Sequence, residues 1–255
     1  MKKRVITGVV GGFYIGLATY IGGMLFGITI LGISLLALFE LDKSVNDKKN
    51  IVFKTNYLTA IMIFFLMIMG IGFDLFMVIT IHTIVTGIVF VVHNDTKFKD
   101  LAVSFFGLTY IILLFYHALL FSDYIHFWLV YIITFGSDSF AYIVGSNFGK
   151  HKLSPKLSPK KSVEGVVGGL IGACVIALIF NYYVLKESNT LIAMIAIIGS
   201  GVSVLGDLLA SKIKREFGIK DYSNILPGHG GILDRFDSFL MVAPITYYLV
   251  MALLF

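Results

Sequence analysis

Long apolar runs recur along this chain, each ending at a short polar or charged break. A helix needs about 20 apolar residues to cross a bilayer, because the hydrocarbon core is about 30 Å thick and offers the backbone no water to bond. The runs fall at roughly residues 5–22, 24–41, 56–72, 74–92, 101–121, 124–145, 163–184, 190–210 and 238–255. A chain of 255 residues holds at most about ten such spans, so the connections between them must be short. The expectation is an all-α, polytopic integral membrane protein with about nine transmembrane helices. Composition agrees: 58% of residues are hydrophobic and 14% charged, against about 45–50% and about 25% in a water-soluble domain. A disordered chain is excluded by the same values. The single cysteine, Cys174, lies in an apolar run, which excludes a disulfide scaffold and reads as helix packing. Lys2, Lys3 and Arg4 ahead of an apolar run resemble a secretory leader, but the run continues to Leu41, well beyond the h-region of about 7–15 residues, and is read as two retained spans.

Cations accumulate in cytoplasmic loops of membrane proteins. With the N-terminus inside, the inner segments are 1–4, 42–55, 93–100, 146–162 and 211–237, and they hold nineteen of the twenty Lys and Arg residues. Only Lys186 falls outside them. A wrong helix count would break that alternation, so the N-terminus is expected in the cytoplasm and the C-terminus outside. The net charge of +5 then belongs to a cytoplasmic face turned toward anionic membrane lipids in the cell membrane; no aromatic and basic module accompanies it, so nucleic acid is not the expected partner. Residues 1–125 are expected to form about five spans without a recognisable motif. Residues 126–255 form about four, with cytoplasmic motif loops at 146–162 and 211–237.

Gly8, Gly12 and Gly16 are spaced at four, as are Gly165 and Gly169, and Gly168 and Gly172. In spanning helices this spacing lets backbones approach closely. Packing within the chain is expected, with a homodimer seam through the transmembrane helices as the minor alternative. The tandem Leu153-Ser154-Pro155-Lys156 and Leu157-Ser158-Pro159-Lys160 reads as a stiff basic turn.

Carboxylates gather at the ends of the later helices: Asp138 in the sixth, Asp207 in the eighth, and Asp234 with Asp237 opening the ninth. Under the expected topology all lie on the cytoplasmic side. Asp138 and Asp207 interrupt apolar helices, where an unpaired charge costs about 2.5–3.5 kcal/mol on insertion scales. A Lys or Arg salt bridge would meet that need, and so would Mg²⁺, which is usually held by one or two carboxylates together with substrate phosphates. The loop 211–237 crowds Lys212, Lys214, Arg215, Lys220 and Arg235 into 27 residues and places Gly228-His229-Gly230-Gly231 before a helix start. Glycines permit a turn whose N–H groups converge on an anion, and the helix N-terminus adds positive potential. Together these parts describe a site for a metal-bound polyphosphate. In that setting His229 reads as a phosphate donor or a turn residue ahead of a catalytic acid or base, because a phosphoryl nucleophile already ionised at neutral pH needs no base. The stretch from Gly145 to Gly149-Lys150 is not a P-loop, since its glycines are too close and no strand precedes it. The other histidines show no metal-ligand spacing, and Trp128 suits an interfacial anchor.

The long run Ser211, Ile213, Lys214-Arg215, Lys220-Asp221, Ser223, Leu226-Pro227, His229-Gly230-Gly231-Ile232 and Asp234-Arg235-Phe236-Asp237 resembles the signature of the phosphatidate cytidylyltransferases, the CDP-diacylglycerol synthases. The likeness extends upstream through Asp138 to Tyr142, Gly145, Gly149-Lys150, Ser158 to Lys161 and Glu164-Gly165, covering the C-terminal half. It implies Mg²⁺-dependent transfer of a cytidylyl group from CTP to phosphatidic acid, giving CDP-diacylglycerol and pyrophosphate. It implies Asp207 and Asp234 as Mg²⁺ ligands, with Asp138 and Asp237 as further candidates and room for a second metal or a monovalent cation. Ser211, Lys214 and Arg215 are implied as phosphate contacts, Lys214 and Arg215 sharing the catalytic role with the two aspartates. Lys220, Asp221, His229, Gly230, Gly231, Arg235, Lys160 and Lys161 are taken as substrate-binding positions, the separate roles of Lys220, Asp221, His229 and Asp237 being unassigned. Two rivals stand beside this reading. A transporter would also place carboxylates in the membrane, but it predicts inverted repeats that the N-terminal half does not show. A CTP-using enzyme with an isoprenoid or ether lipid substrate would share the signature.

Overall fold

A computed structural model of the protein describes residues 2–45, 50–121, 124–226, 228 and 230–254. Among these residues nine helical rods follow one another: α1 (Lys2–Ile21), α2 (Gly23–Val45), α3 (Thr55–Ile68), α4 (Leu75–Val92), α5 (Phe98–Leu119), α6 (Tyr124–Phe148), α7 (Val163–Leu185), α8 (Asn189–Glu216) and α9 (Leu233–Leu254). Seven of them are long and apolar enough to cross a membrane, while the apolar part of α1 (Thr7–Ile21) and α3 are shorter. The protein is therefore an all-α polytopic membrane protein. A small antiparallel hairpin, β1 (Lys152–Ser154) and β2 (Ser158–Ser162), forms at the Leu-Ser-Pro-Lys tandem.

Several helix ends differ from the hydropathy reading. α3 stops at Ile68 rather than near 72, where the chain turns through Gly70 at φ +64°. Helix α8 runs on to Glu216 rather than ending near 210, and α9 begins at Leu233 rather than 238. Hydropathy reports where the lipid core ends, whereas a helix continues as long as its backbone bonds close. The 28 residues of α8 extend about 42 Å at about 1.5 Å per residue, well beyond a core of about 30 Å. Its charged last turns project past the apolar segment, and Lys214 and Arg215 suit the negative end of the helix dipole. Gly218, at φ +67°, stops it: Gly218 N–H donates to the Arg215 carbonyl at 3.1 Å and Ile219 N–H to the Lys214 carbonyl at 2.9 Å, the paired bonds of a Schellman cap.

The chain divides into two compact units. The first comprises residues 1–119 with the returning segment 221–234. Phe26, Ile30, Ile33, Ala37, Leu38 and Leu41 form the buried face of α2. A polar network joins α3, α4 and α5 inside this apolar unit. Thr55 meets Thr86 at 2.9 Å and Ser104 at 3.2 Å, Asn56 donates to Ser104 at 3.2 Å, and Thr59 meets the His82 ring at 2.8 Å. Without a hydrophobic drive between helices in lipid, such bonds help specify which helices associate, at about 0.6–2 kcal/mol each.

The second unit comprises residues 120–220 and 235–255. Its closest helix pair is α6 with α7, and glycine is the reason. A Cβ at Gly165 would stand 2.8 Å from the Ala141 carbonyl oxygen, and one at Gly169 would stand 2.8 Å from that of Ser137. At Gly168 and Gly172 it would collide with Val144 and Phe140. These two glycine pairs thus pack within the chain. In α1 the outcome differs: Gly12 has nothing within 4 Å of a built Cβ, so the expected close approach is not made there among the described residues. Phe121, Phe127, Tyr131, Phe239 and Tyr247 make an aromatic cluster between the start of α6 and α9. Where α8 meets α9, a Cβ at Gly206 would lie 2.8 Å from the Asp237 carbonyl oxygen.

Candidate active site

The contact made possible by Gly206 sets the turn carrying Asp207 beside the turn carrying Asp237. Asp138 on α6 completes a group of three carboxylates that interact electrostatically, with Lys161, Lys214 and Arg235 as the cations acting on them. Lys161, near the end of β2, places Nζ 2.5 Å from Asp207 Oδ2. Ser211, one turn along α8, donates to Asp207 Oδ1 at 3.2 Å. Residues 207, 211 and 214 recur at the spacing of one helical face, and Lys214 is buried there at 9% exposure. Arg215 points elsewhere: it is exposed, and Nη1 donates to the Ile219 carbonyl at 3.1 Å, reinforcing the end of α8. Lys160, Lys220 and Arg235 are exposed.

The connection into α7 is held by its own polar contacts. Ser162 caps the helix, its Oγ accepting from Gly165 N–H at 3.1 Å. Glu164 accepts from the backbone N–H groups of Lys150 at 3.0 Å and His151 at 3.2 Å, and meets the His151 ring at 2.6 Å. The residues around 149 and 161 that the resemblance includes therefore serve to fix the hairpin from which Lys161 reaches Asp207.

In the first unit the motif segment 221–234 folds around anions of the protein itself. Asp234 Oδ2 accepts from Tyr222 N–H and Gly231 N–H, both at 2.9 Å. Leu226 N–H donates to the Gly230 carbonyl at 2.9 Å, closing the turn that Gly228 and Gly230 make at φ +80° and +85°. Glu40, fully buried on α2, accepts from Ser223 Oγ at 2.5 Å and from the N–H groups of Ile232 and Leu233 at 2.8 Å each. In the glycine-rich nest expected to face a substrate phosphate, the Gly231 N–H is directed to the carboxylate of Asp234, three residues on. Gly230 lies against the same carboxylate, with a Cβ there 3.0 Å from Oδ2. Asp221 is exposed. His229 and Pro227 lie outside the described residues.

The expected residues accordingly divide. Asp138, Lys161, Asp207, Ser211, Lys214 and Asp237 come together in the second unit. Asp234, Gly230 and Gly231 come together in the first, where Asp234 holds the turn. Both the salt-bridge and the metal readings of Asp207 bear on its environment, and the salt bridge is present, to Lys161. Among the described residues no group of three or more His, Cys, Asp or Glu side chains is arranged as a ready-made metal cage. The donor set fits Mg²⁺ nonetheless, because Asp138, Asp207 and Asp237 offer hard oxygens and Mg²⁺ takes only one or two carboxylates, the rest being water and phosphate. Glu40 lies outside every motif of the sequence. Its one signal was a lone carboxylate in the last turns of an otherwise apolar run, 183 residues before Ser223.

A sequence model described as "Cytidylyltransferase family" matches residues 2–253. The "Phosphatidate cytidylyltransferase" of Bacillus subtilis (strain 168) is 33% identical over 265 aligned residues, covering 98% of this chain and 97% of that protein. Proteins of the same description from Staphylococcus haemolyticus (strain JCSC1435) and Staphylococcus aureus (strain COL) are each 35% identical over 158 residues, 61% of this chain and 59% of each of them.

Proposed function

The chain belongs to the cytidylyltransferase family, and from that premise we propose that it is a CTP:phosphatidate cytidylyltransferase, moving CMP from CTP to phosphatidic acid with release of pyrophosphate. The observation that carries the site is the face of α8 on which Asp207, Ser211 and the buried Lys214 follow one another, with Lys161 on Asp207. A phosphatidate oxygen attacks the α-phosphorus of CTP; the new P–O bond forms as the bond to the bridging oxygen of the β-phosphate breaks, and pyrophosphate leaves with that electron pair. The nucleophile is ionised at neutral pH and needs no general base. Catalysis is therefore positioning plus electrostatic stabilisation.

In this reading Lys214 and Lys161 neutralise phosphate charge, and Ser211 donates to a phosphate oxygen or keeps Asp207 oriented. Arg215, Lys160, Lys220 and Arg235 add positive potential at the surface, where an incoming triphosphate is first met. Asp207, with Asp138 and Asp237 as further donors beside it, and separately Asp234 on its own turn are the positions this reading assigns to Mg²⁺ ligation, and the ion when bound would neutralise the triphosphate and the departing pyrophosphate. The distribution of Lys and Arg supports a site on the cytoplasmic side of the cell membrane, where a lipid phosphate and a soluble nucleotide can meet.

Purified protein incubated with labelled CTP, Mg²⁺ and phosphatidic acid should yield labelled CDP-lipid, and an isoprenoid phosphate in place of phosphatidic acid should not. Asp207→Asn should lower turnover by about 100-fold or more while the protein stays folded in membranes. Near-normal turnover in that variant would overturn the role given to Asp207.

A further inference from the structure

The helix that begins at Leu233 lacks a side-chain cap of its own. Ser, Thr, Asp and Asn are the residues that normally accept from the first N–H groups of a helix, and the residues before Leu233 are Gly231 and Ile232, which have no such group. The N–H groups of Ile232 and Leu233 are nevertheless satisfied, both at 2.8 Å, by the two carboxylate oxygens of Glu40. Ser223 Oγ donates to the same carboxylate at 2.5 Å. Glu40 is fully buried, and three donors converge on its two oxygens, a pattern that suits the acceptor-only ionised form. Its charge is met by the positive end of the helix. The fit leaves no slack: a Cβ on Gly231 would stand 2.5 Å from Oε2 and 2.6 Å from Oε1 of Glu40.

We infer that Glu40 is a positioning residue for the reaction: from α2 it caps α9 and pins both ends of the motif turn, Ser223 on one side and Ile232 and Leu233 on the other, thereby aiming Asp234. Asp234 follows Leu233 directly, and its carboxylate returns to Gly231 N–H and Tyr222 N–H. The two carboxylates therefore share one turn, Glu40 holding residues 223, 232 and 233 while Asp234 holds 222 and 231. Releasing Glu40 would unseat the helix start that sets the direction of Asp234. The effect on turnover rests on the activity proposed above; the effect on the turn does not.

Glu40→Gln tests both. The amide keeps the shape but turns an NH₂ group toward a backbone N–H that requires an acceptor. Amide hydrogen exchange at residues 231–233 should rise at least about tenfold, and kcat should fall about 10- to 100-fold, the usual effect of removing a partner that orients an active-site ligand. The KM for CTP should stay within about twofold of the parent value, and kcat is referred to the folded fraction measured by size-exclusion chromatography, because loss of folded protein would by itself lower the apparent kcat at unchanged KM. Ser223→Ala removes one donor only and serves where Glu40→Gln does not reach the membrane: it should speed exchange at 231–233 and lower kcat a few-fold. Unchanged exchange at 231–233 in whichever variant is folded would overturn the capping role. Faster exchange with unchanged kcat would overturn the positioning role. A parent protein that forms no CDP-lipid at all would instead refute the proposed activity, with the exchange result on Glu40 still decided separately.

Discussion

Gly231→Ala isolates the steric side of the carboxylate-held turn. The backbone there has no positive φ, so alanine adds no conformational strain and the outcome depends on space alone. The new Cβ would lie 2.5 Å from Glu40 Oε2 and 2.7 Å from its Cδ, about 0.9 Å inside ordinary contact with the oxygen. Opening that gap by moving the carboxylate away from the turn would stretch its 2.8 Å bonds to Ile232 and Leu233 N–H to about 3.7 Å, beyond hydrogen-bonding distance. Two bonds to a charged group contribute about 1.5–3 kcal/mol each, while overpacking a tight site costs about 1–3 kcal/mol. Because the carboxylate can swing to keep one of the two, a loss of about 3 kcal/mol is expected. Thermal unfolding of the purified protein in detergent, followed in parallel with CDP-lipid formation from labelled CTP, measures it. The melting temperature should fall by several degrees and turnover should drop at temperatures where the variant is still folded. A variant with the parent melting temperature and turnover would refute the reasoning, since it would mean that the turn and Glu40 are not in contact as described.

Gly169→Val should separate α6 from α7, because a Cβ there stands 2.8 Å from the Ser137 carbonyl oxygen; a loss of about 3 kcal/mol or outright failure to accumulate in membranes is expected. Gly12→Ala, with nothing within 4 Å, should leave the melting temperature unchanged in the same assay. Ser162→Ala removes the cap on α7 and should lower stability by about 1 kcal/mol, read as a small melting shift.

Much of this protein is legible without coordinates. Each apolar run from Gly23 to Leu254 corresponds to a helix because hydropathy is summed locally, over residues that travel together along one rod. The boundaries were less legible. Ser211, Lys214 and Arg215 look like loop residues in a hydropathy profile, yet they occupy the last turns of α8, since a helix outlasts the lipid around it as long as its own bonds and a glycine cap complete it. The glycine pairs show the limit from the other side. Gly165, Gly168, Gly169 and Gly172 share a spacing rule with Gly8, Gly12 and Gly16, but only the partner helix determines whether the space beside them is filled.

The sequence by itself determined the solvent, the helical class and, through the run from Ser211 to Asp237, the family, because each depends on residues close together in the chain. Tertiary structure alone decided what the charges do. Lys161 could have been one more basic-turn residue until the hairpin brought it to Asp207. Glu40 stands 193 residues from the start of the helix it caps, and no spacing rule relates a carboxylate on one helix to the bare N–H groups at the start of another. That pairing follows from a physical demand, that buried donors and a buried anion be satisfied together, and only the folded chain shows which groups meet it.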